Sequence, residues 1–254
     1  NSTFNFWKFV SGIIMAKISY PRGNIFDSSS QTLVNTVNCV GFMGKGIALE
    51  YRLRYQDMFQ EYKAYCDNGE IIIGKLHLWK EPEGKWILNF PTKVHYANPS
   101  ELHFIEKGLK KFAKSYKERG ITSIAFPQLG SSLGGLDWET EVHPLMKKYL
   151  EGLDNLEVEI FSYDPKIADN DFIKLETKTN RFKPEDFVTH IKLNKTQANT
   201  LYEALKNKSV SNSMDIHNLH GFADKTLFKI KDFISSNEPI RVEQEGILKL
   251  FEDE

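Results

Sequence analysis

The chain has 254 residues, 41% hydrophobic, 13% aromatic and 26% charged, which fits globular domains and excludes disordered or fibrous classes. Lys and Arg number 33 against 34 Asp and Glu, a net charge of -1, so no global basic field attracts nucleic acid or membrane and any such contact must be local. With only Cys39 and Cys66, a disulfide scaffold and a Cys-based zinc site are excluded, and two free thiols in a reducing cytoplasm are expected.

Residues 1–14, NSTFNFWKFVSGII, are apolar and aromatic, but Lys8 breaks the run, which is too short for a membrane span and lacks a cleavage signature. They read as an N-terminal extension of uncertain origin, either an upstream addition or an element covering a sheet edge. Over residues 15–165, short apolar runs alternate with longer amphipathic ones, which predicts an α/β fold of strands joined by crossover helices. LVNTVNCV (33–40) reads as a buried strand, and after Gly41, Gly44 and Gly46 one helix is predicted up to the stop at Asn68-Gly69. Residues 71–79 and 85–90 predict paired strands around the turn at Glu81-Pro82-Glu83-Gly84, and Ser100 is expected to cap the helix that follows. Next come a strand (121–129), a loop (130–135), a helix (137–153) with a kink or restart at Pro144, and a last strand (157–163).

After Asp164-Pro165 a second module is expected over 166–254. Residues 166–190 carry few apolar anchors, 194–207 and 221–236 read as helices, and 239–251 reads as a hairpin. Together these suit a small α+β module of winged-helix type. Its 14 basic and 15 acidic side chains exclude a charged tail.

Two glycine-rich loops, 41–46 and 130–135, each follow a predicted strand and open a helix. Both should lie at one end of a parallel sheet, where backbone N–H groups and helix N-termini bind anions. Two such loops on neighbouring strands suggest a ligand with two phosphates, or a phosphate and a sugar. Neither is a P-loop or a G-x-G-x-x-G fingerprint, which disfavours a nucleoside triphosphatase. Asn35 and Asn38 admit two readings, local backbone satisfaction where the strand breaks or contact with ribose hydroxyls. Tyr163 likewise reads as a platform for a base or as core. Asp137 is expected to cap a helix, His95 and His103 stay outside the catalytic set, and His143 has no assigned role. With no H-E-x-x-H, metal-spaced Cys/His pair, G-x-S-x-G elbow or calcium loop, neither metal nor cofactor is expected.

The segments Gly23-Asn24-Ile25, VNTVN (34–38), GKGIA (44–48), NFPTKVH (89–95) and FPQLGSSLGGLDWE (126–139) resemble macrodomains, specifically the DarG class of antitoxin macrodomains. That class is similar in loop chemistry to the terminal ADP-ribose glycohydrolase branch, and the resemblance covers Ile18 to Pro165. It implies a mixed sheet between helices with ADP-ribose as ligand. Gly44, Lys45, Gly46 and Ile47, with Gly130, Ser131, Ser132, Leu133, Gly134 and Gly135, would clasp the diphosphate and distal ribose, which Asn38 would touch. Asn24 and Ile25 would lie near the adenosine, although many macrodomains carry an acid where Asn24 stands. Lys93 would be the catalytic group, its amine attacking the anomeric carbon to form an imine that water resolves. This requires a neutral lysine, for which Phe90 and Pro91 are expected as apolar wall; the competing reading is a lysine that only neutralises phosphate. A related branch pairs its lysine with an aspartate where Gly134 stands here, so the sequence departs from that branch. The implied activity is removal of ADP-ribose from thymidine in single-stranded DNA, as antitoxin to a DarT-type DNA ADP-ribosyltransferase bound by residues 166–254. The rivals are a non-catalytic ADP-ribose reader, an antitoxin acting by contact alone, and an ADP-ribosyl ester hydrolase.

Overall fold

One six-stranded sheet organises the first part of the computed structural model, which describes residues 15–82 and 84–236. Strands β1 (Lys17–Ser19), β2 (Thr32–Asn38), β3 (His77–Lys80), β4 (Trp86–Lys93), β5 (Ser123–Pro127) and β6 (Glu157–Phe161) lie in the order β1-β6-β5-β2-β4-β3. Every pairing is parallel except that of β3 with β4, so the sheet is mixed. Helices α1 (Gly46–Arg54), α2 (Gln56–Asp67), α3 (Leu102–Ser115) and α4 (His143–Leu150) cover it.

The pleat sorts side chains between the two faces. Leu33, Val37 and Ile87 pack with Tyr51, Met58 and Tyr62 of α1 and α2, whereas Val34, Leu88 and Phe90 pack with Ile105, Leu109 and Met146 of α3 and α4. Adjacent residues thus feed opposite cores, and the central strands, buried on both faces, read as near-continuous apolar runs.

The structure differs from the sequence reading at several places. The helix predicted after Gly46 is two helices, broken at Tyr55 with φ -128° and ψ 74°. The strand expected from 71 begins only at His77, because Lys75 N–H bonds to the Ile72 carbonyl and Gly74 turns with φ +88°. Ser100 is not the cap of α3: that position is Glu101, and the Ser100 N–H bonds instead to the Gly134 carbonyl at 2.9 Å. Asp137 does cap, accepting from Thr140 N–H at 2.7 Å ahead of a π-helical turn (Trp138–Val142), after which the helix restarts at His143 with Pro144 in its first turn.

A break between Asp164 and Pro165 separates a second compact unit. Its described part is helical: α5 (Asn170–Thr179), α6 (Pro184–Ile191), α7 (Lys195–Lys206), α8 (Ser213–His217) and α9 (Asp224–Ser235). Described residues 165–236 hold helices and no strand; the hairpin read at 239–251, which is the β part of the α+β, winged-helix expectation, and the extension at 1–14 lie outside the described residues. Helices α7 and α9 form where expected. The segment with few apolar anchors forms α5 and α6, because single residues suffice: Phe172, Leu175 and Phe187 are buried, and Phe182 meets Phe187 edge-on at 5.2 Å. Buried Asp169 begins α5, accepting from Phe172 N–H and from both the N–H and hydroxyl of Ser213.

Candidate active site

Strands β5, β2 and β4 are parallel neighbours, so the loops at their C-terminal ends converge on one edge of the sheet, the usual place for a ligand in such folds. The β2 loop, 39–45, is pinned from inside by Asn38. Its Oδ1 accepts from the N–H groups of Val40 (3.0 Å) and Phe42 (3.3 Å), while its Nδ2 donates to the Phe42 carbonyl at 2.6 Å. The Tyr62 hydroxyl donates to the Asn38 carbonyl at 2.7 Å. Asn38 therefore shapes the loop, which fits the local reading; a ribose contact has to use its remaining Nδ2 proton. Gly41 (φ +77°) and Gly46 (φ +57°) occupy the left-handed region that glycine tolerates, and Lys45 stands exposed at the N-cap of α1. Ile47 packs partly into the core beneath.

The β5 loop is held by its own turns. Leu136 N–H bonds to the Gly130 carbonyl at 3.1 Å, Ser131 hydroxyl to the Gln128 carbonyl at 2.8 Å, and Gly135 N–H to the Ser132 carbonyl at 3.4 Å. A Cβ at Gly134 would run into the Gly130 carbonyl and the Ser100 hydroxyl, so only glycine fits there. The two loops meet: a Cβ at Gly46 would lie 3.1 Å from Leu133, whose own side chain is 65% exposed.

Lys93 ends β4 opposite Asn38, and its Nζ donates to the Leu133 carbonyl at 2.7 Å. The sequence leads one to expect Phe90 and Pro91 as an apolar wall for the amine. Both residues are buried, Phe90 in the core with its ring against Gly108, whereas Lys93 is only half-buried. On the far side of the edge, Gly23 N–H bonds to the Ser162 carbonyl at 3.0 Å, which lays Asn24 and Ile25 beside the end of β6 next to Tyr163. Asn24 Oδ1 accepts from Phe26 N–H, Ile25 is core, and Tyr163 is half exposed, which removes the core reading of that tyrosine.

Some features of this edge were not read from sequence. Fully buried Asn35 donates to Asn89 Oδ1 at 2.8 Å; Asn89 Nδ2 meets His77 Nδ1 at 3.0 Å, and His77 Nε2 meets Glu61 at 2.7 Å, a polar chain from the sheet centre to the surface. The paired asparagines at 35 and 89 in apolar strands were its only signal. Phe42 and Tyr96 form an exposed ring pair with centroids 4.6 Å apart. Burial pushes the Cys39 thiol up to about 11, and the Cys66 thiol and Tyr62 hydroxyl also upward, so this cluster beneath the first loop stays protonated. A separate groove of about 390 Å³, between Tyr65, His77 and Arg119, lies at the β3 edge and carries side chains of both charges. Among the described residues no group of three or more His, Cys, Asp or Glu could hold a metal ion, and no helix is long and apolar enough to cross a membrane.

A mixed sheet between two helix pairs, with two glycine loops at its C-terminal edge, defines an α/β domain of the kind whose loops and helix N-termini suit an anionic ligand at that edge. Residues 34–144 match the Macro domain family. The chain is 35% identical over 164 residues to the DNA ADP-ribosyl glycohydrolase of Thermus aquaticus, covering 63% of this chain and 45% of that protein. It is 46% identical over 125 residues to the DNA ADP-ribosyl glycohydrolase of Mycobacterium tuberculosis, covering 48% and 36% respectively. The solved macrodomain of Thermus aquaticus DarG superposes with TM-score 0.56 at 37% identity, over 58% of this chain and 99% of that one. Thermosipho africanus DarTG in complex with ADP-ribose gives TM-score 0.55 at 37% identity, over 61% and 43%. The chain belongs to the macrodomain family, in the branch of the DarG macrodomains. It spans less than half the length of these two curated relatives.

Proposed function

We propose that the chain is an ADP-ribosyl glycohydrolase that removes ADP-ribose from thymidine in single-stranded DNA, with Lys93 as nucleophile and no metal or cofactor. The observation that carries this reading is the seat of Lys93, its Nζ 2.7 Å from the Leu133 carbonyl where the glycine loops meet and opposite Asn38. The loops would hold the diphosphate through backbone N–H groups at Gly44 to Ile47 and Gly130 to Gly135, and Asn24, Ile25 and Tyr163 would border the adenosine. In the reaction, Nζ bonds to the anomeric carbon, the bond to the thymine nitrogen breaks, and the proton lost from Nζ goes to the base. Ring opening leaves an imine, which water hydrolyses to free ADP-ribose and the regenerated amine. The Leu133 carbonyl would aim the amine by accepting a hydrogen bond from it, which leaves the lone pair of the neutral amine, its ammonium proton released to water, for the attack.

The names of the relatives support this chemistry, and the Thermosipho africanus protein, a fusion of DNA ADP-ribosyl transferase and DNA ADP-ribosyl glycohydrolase, supports pairing with a DarT-type toxin. Residues 15–165 would form the catalytic domain and 166–254 the toxin-binding module, acting in the cytoplasm. The test is release of ADP-ribose from a thymidine-ADP-ribosylated single-stranded oligonucleotide by wild type and Lys93→Ala. Turnover lost in the variant is expected. Binding of ADP-ribose without turnover by wild type would leave a reader or a contact antitoxin, and turnover confined to an ester-linked substrate would leave an ester hydrolase.

A further inference from the structure

Five of the eleven large hydrophobic side chains exposed among the described residues sit on the three loops around Lys93: Val40, Phe42, Val94, Tyr96 and Leu133. Two of them form a pair, Phe42 and Tyr96, 48% and 50% exposed, with ring centroids 4.6 Å apart and planes at 44°. The His95 ring continues the run, 4.2 Å from Tyr96, and its Nδ1 accepts from Ala97 N–H. The platform is held in place. Phe42 is bonded at both its N–H and its carbonyl by the Asn38 side chain, and its ring lies where a Cβ at Gly44 would be. Tyr96 follows Lys93 by three residues, and Lys93 pairs with Asn38, so the rings and the amine share one support.

The three loops themselves carry charge of one sign, with Glu101 and Asp137 just beyond their ends. Residues 39–45, 93–100 and 128–136 contain Lys45 and Lys93 but no Asp or Glu, in a chain with 34 carboxylates. Exposed aromatic faces, fixed in position on loops that also carry lysines, are features that bind single-stranded nucleic acid, where bases stack and phosphates are neutralised.

We infer that Phe42 and Tyr96 form a stacking platform for the nucleobases flanking the modified nucleotide, so that the enzyme recognises the single DNA strand as well as the ADP-ribose. This rests on the proposed glycohydrolase reading and adds a specificity site to it. The experiment uses the full chain with two substrates: a thymidine-ADP-ribosylated single-stranded 12-mer, and the ADP-ribosylated thymidine mononucleotide, which has no neighbouring bases. Phe42→Ala and Tyr96→Ala should each raise KM for the 12-mer about tenfold while leaving kcat and the mononucleotide unaffected, and Tyr96→Trp should retain wild-type KM. Equal losses on both substrates, or none on either, would overturn the platform. If wild type turns over neither substrate, the glycohydrolase reading fails, and binding of an unmodified single-stranded 12-mer by fluorescence anisotropy still decides the platform. Binding that weakens in the two alanine variants supports it. No binding by wild type overturns it and assigns the rings to a protein partner or to the fold.

Discussion

Asn38 and Lys93 face one another across the β2–β4 ladder because the register slips just before them, between Val37 and Asn38. Up to that point the pairing is regular, with Asn35 opposite Asn89 and Val37 opposite Pro91; the irregularity then skips Thr92 and brings Lys93 alongside Asn38. Such a bulge re-aims a side chain at a strand end. The lysine's reach to Leu133 therefore depends on backbone pairing as much as on the residue itself.

Replacing the amine should separate chemistry from binding. Lys93→Ala is expected to lower kcat on the ADP-ribosylated oligonucleotide by more than about 10³-fold while the Kd for ADP-ribose changes only a few-fold. Lys93→Arg should be equally inactive, since a guanidinium stays protonated and cannot form the imine. Isothermal titration alongside single-turnover kinetics checks both, and an active Arg variant would make the residue electrostatic only.

Asn38→Ala should act on the loop. It removes the partner of the Val40 and Phe42 backbone groups, and leaving such groups unpaired costs about 1–3 kcal/mol. A lower urea midpoint together with weaker ADP-ribose binding is expected. Unchanged stability with weaker binding would instead make Asn38 purely a ligand contact.

The buried asparagine pair offers a sharper energetic test. Asn89→Leu strips the hydrogen-bond partner from Asn35, which is fully buried, and should destabilise by about 1–3 kcal/mol. Adding Asn35→Leu removes the orphaned amide and should recover part of the loss, a positive coupling measurable in a double-mutant cycle by chemical denaturation. Simple additivity would refute a pairwise role for this bond.

Alkaline pH should weaken the fold. Burial, with neighbouring Cys66 adding to it, raises the Cys39 thiol from its ordinary 9.0 to about 11, and burial also raises Cys66, Tyr62 and Tyr51. Each group holds its proton longer in the folded chain than in the unfolded one. Above pH 9 the folded state thus binds more protons, and stability falls as pH rises toward 11. Denaturation midpoints at pH 7.5, 9, 10 and 10.5 should decline over the last three, and Cys39→Ala with Cys66→Ala should flatten part of the slope. A flat wild-type profile would contradict the assignment.

The glycine loops were legible because Gly41, Gly46, Gly130 and Gly135 adopt backbone angles that other residues avoid, so their chemistry is written locally. Asp137 was legible for the same reason, its partner lying three residues on. Ser100 misled because its backbone partner is Gly134, remote in sequence, and a serine before a helix looks like a cap in either case. The Phe42–Tyr96 pair could not be read at all, since it exists only once β2 and β4 are neighbours. Segment 166–190 hid two helices because each buries only one aromatic and one aliphatic side chain, Phe172 with Leu175 and Phe187 with Ile191, amid charged residues.

The crowding at Gly134 also limits what this domain can become. The branch from which the sequence departs is expected to pair its lysine with an aspartate at this place, and one base separates a glycine codon from an aspartate codon. Here any side chain at 134 collides with the Gly130 carbonyl and the Ser100 hydroxyl, so the swap must rebuild the loop and the turn leading into α3. On the proposed reading of Lys93, no single substitution at 134 supplies it with an acidic partner, and placing one there by directed evolution should require loop exchange in place of point mutation.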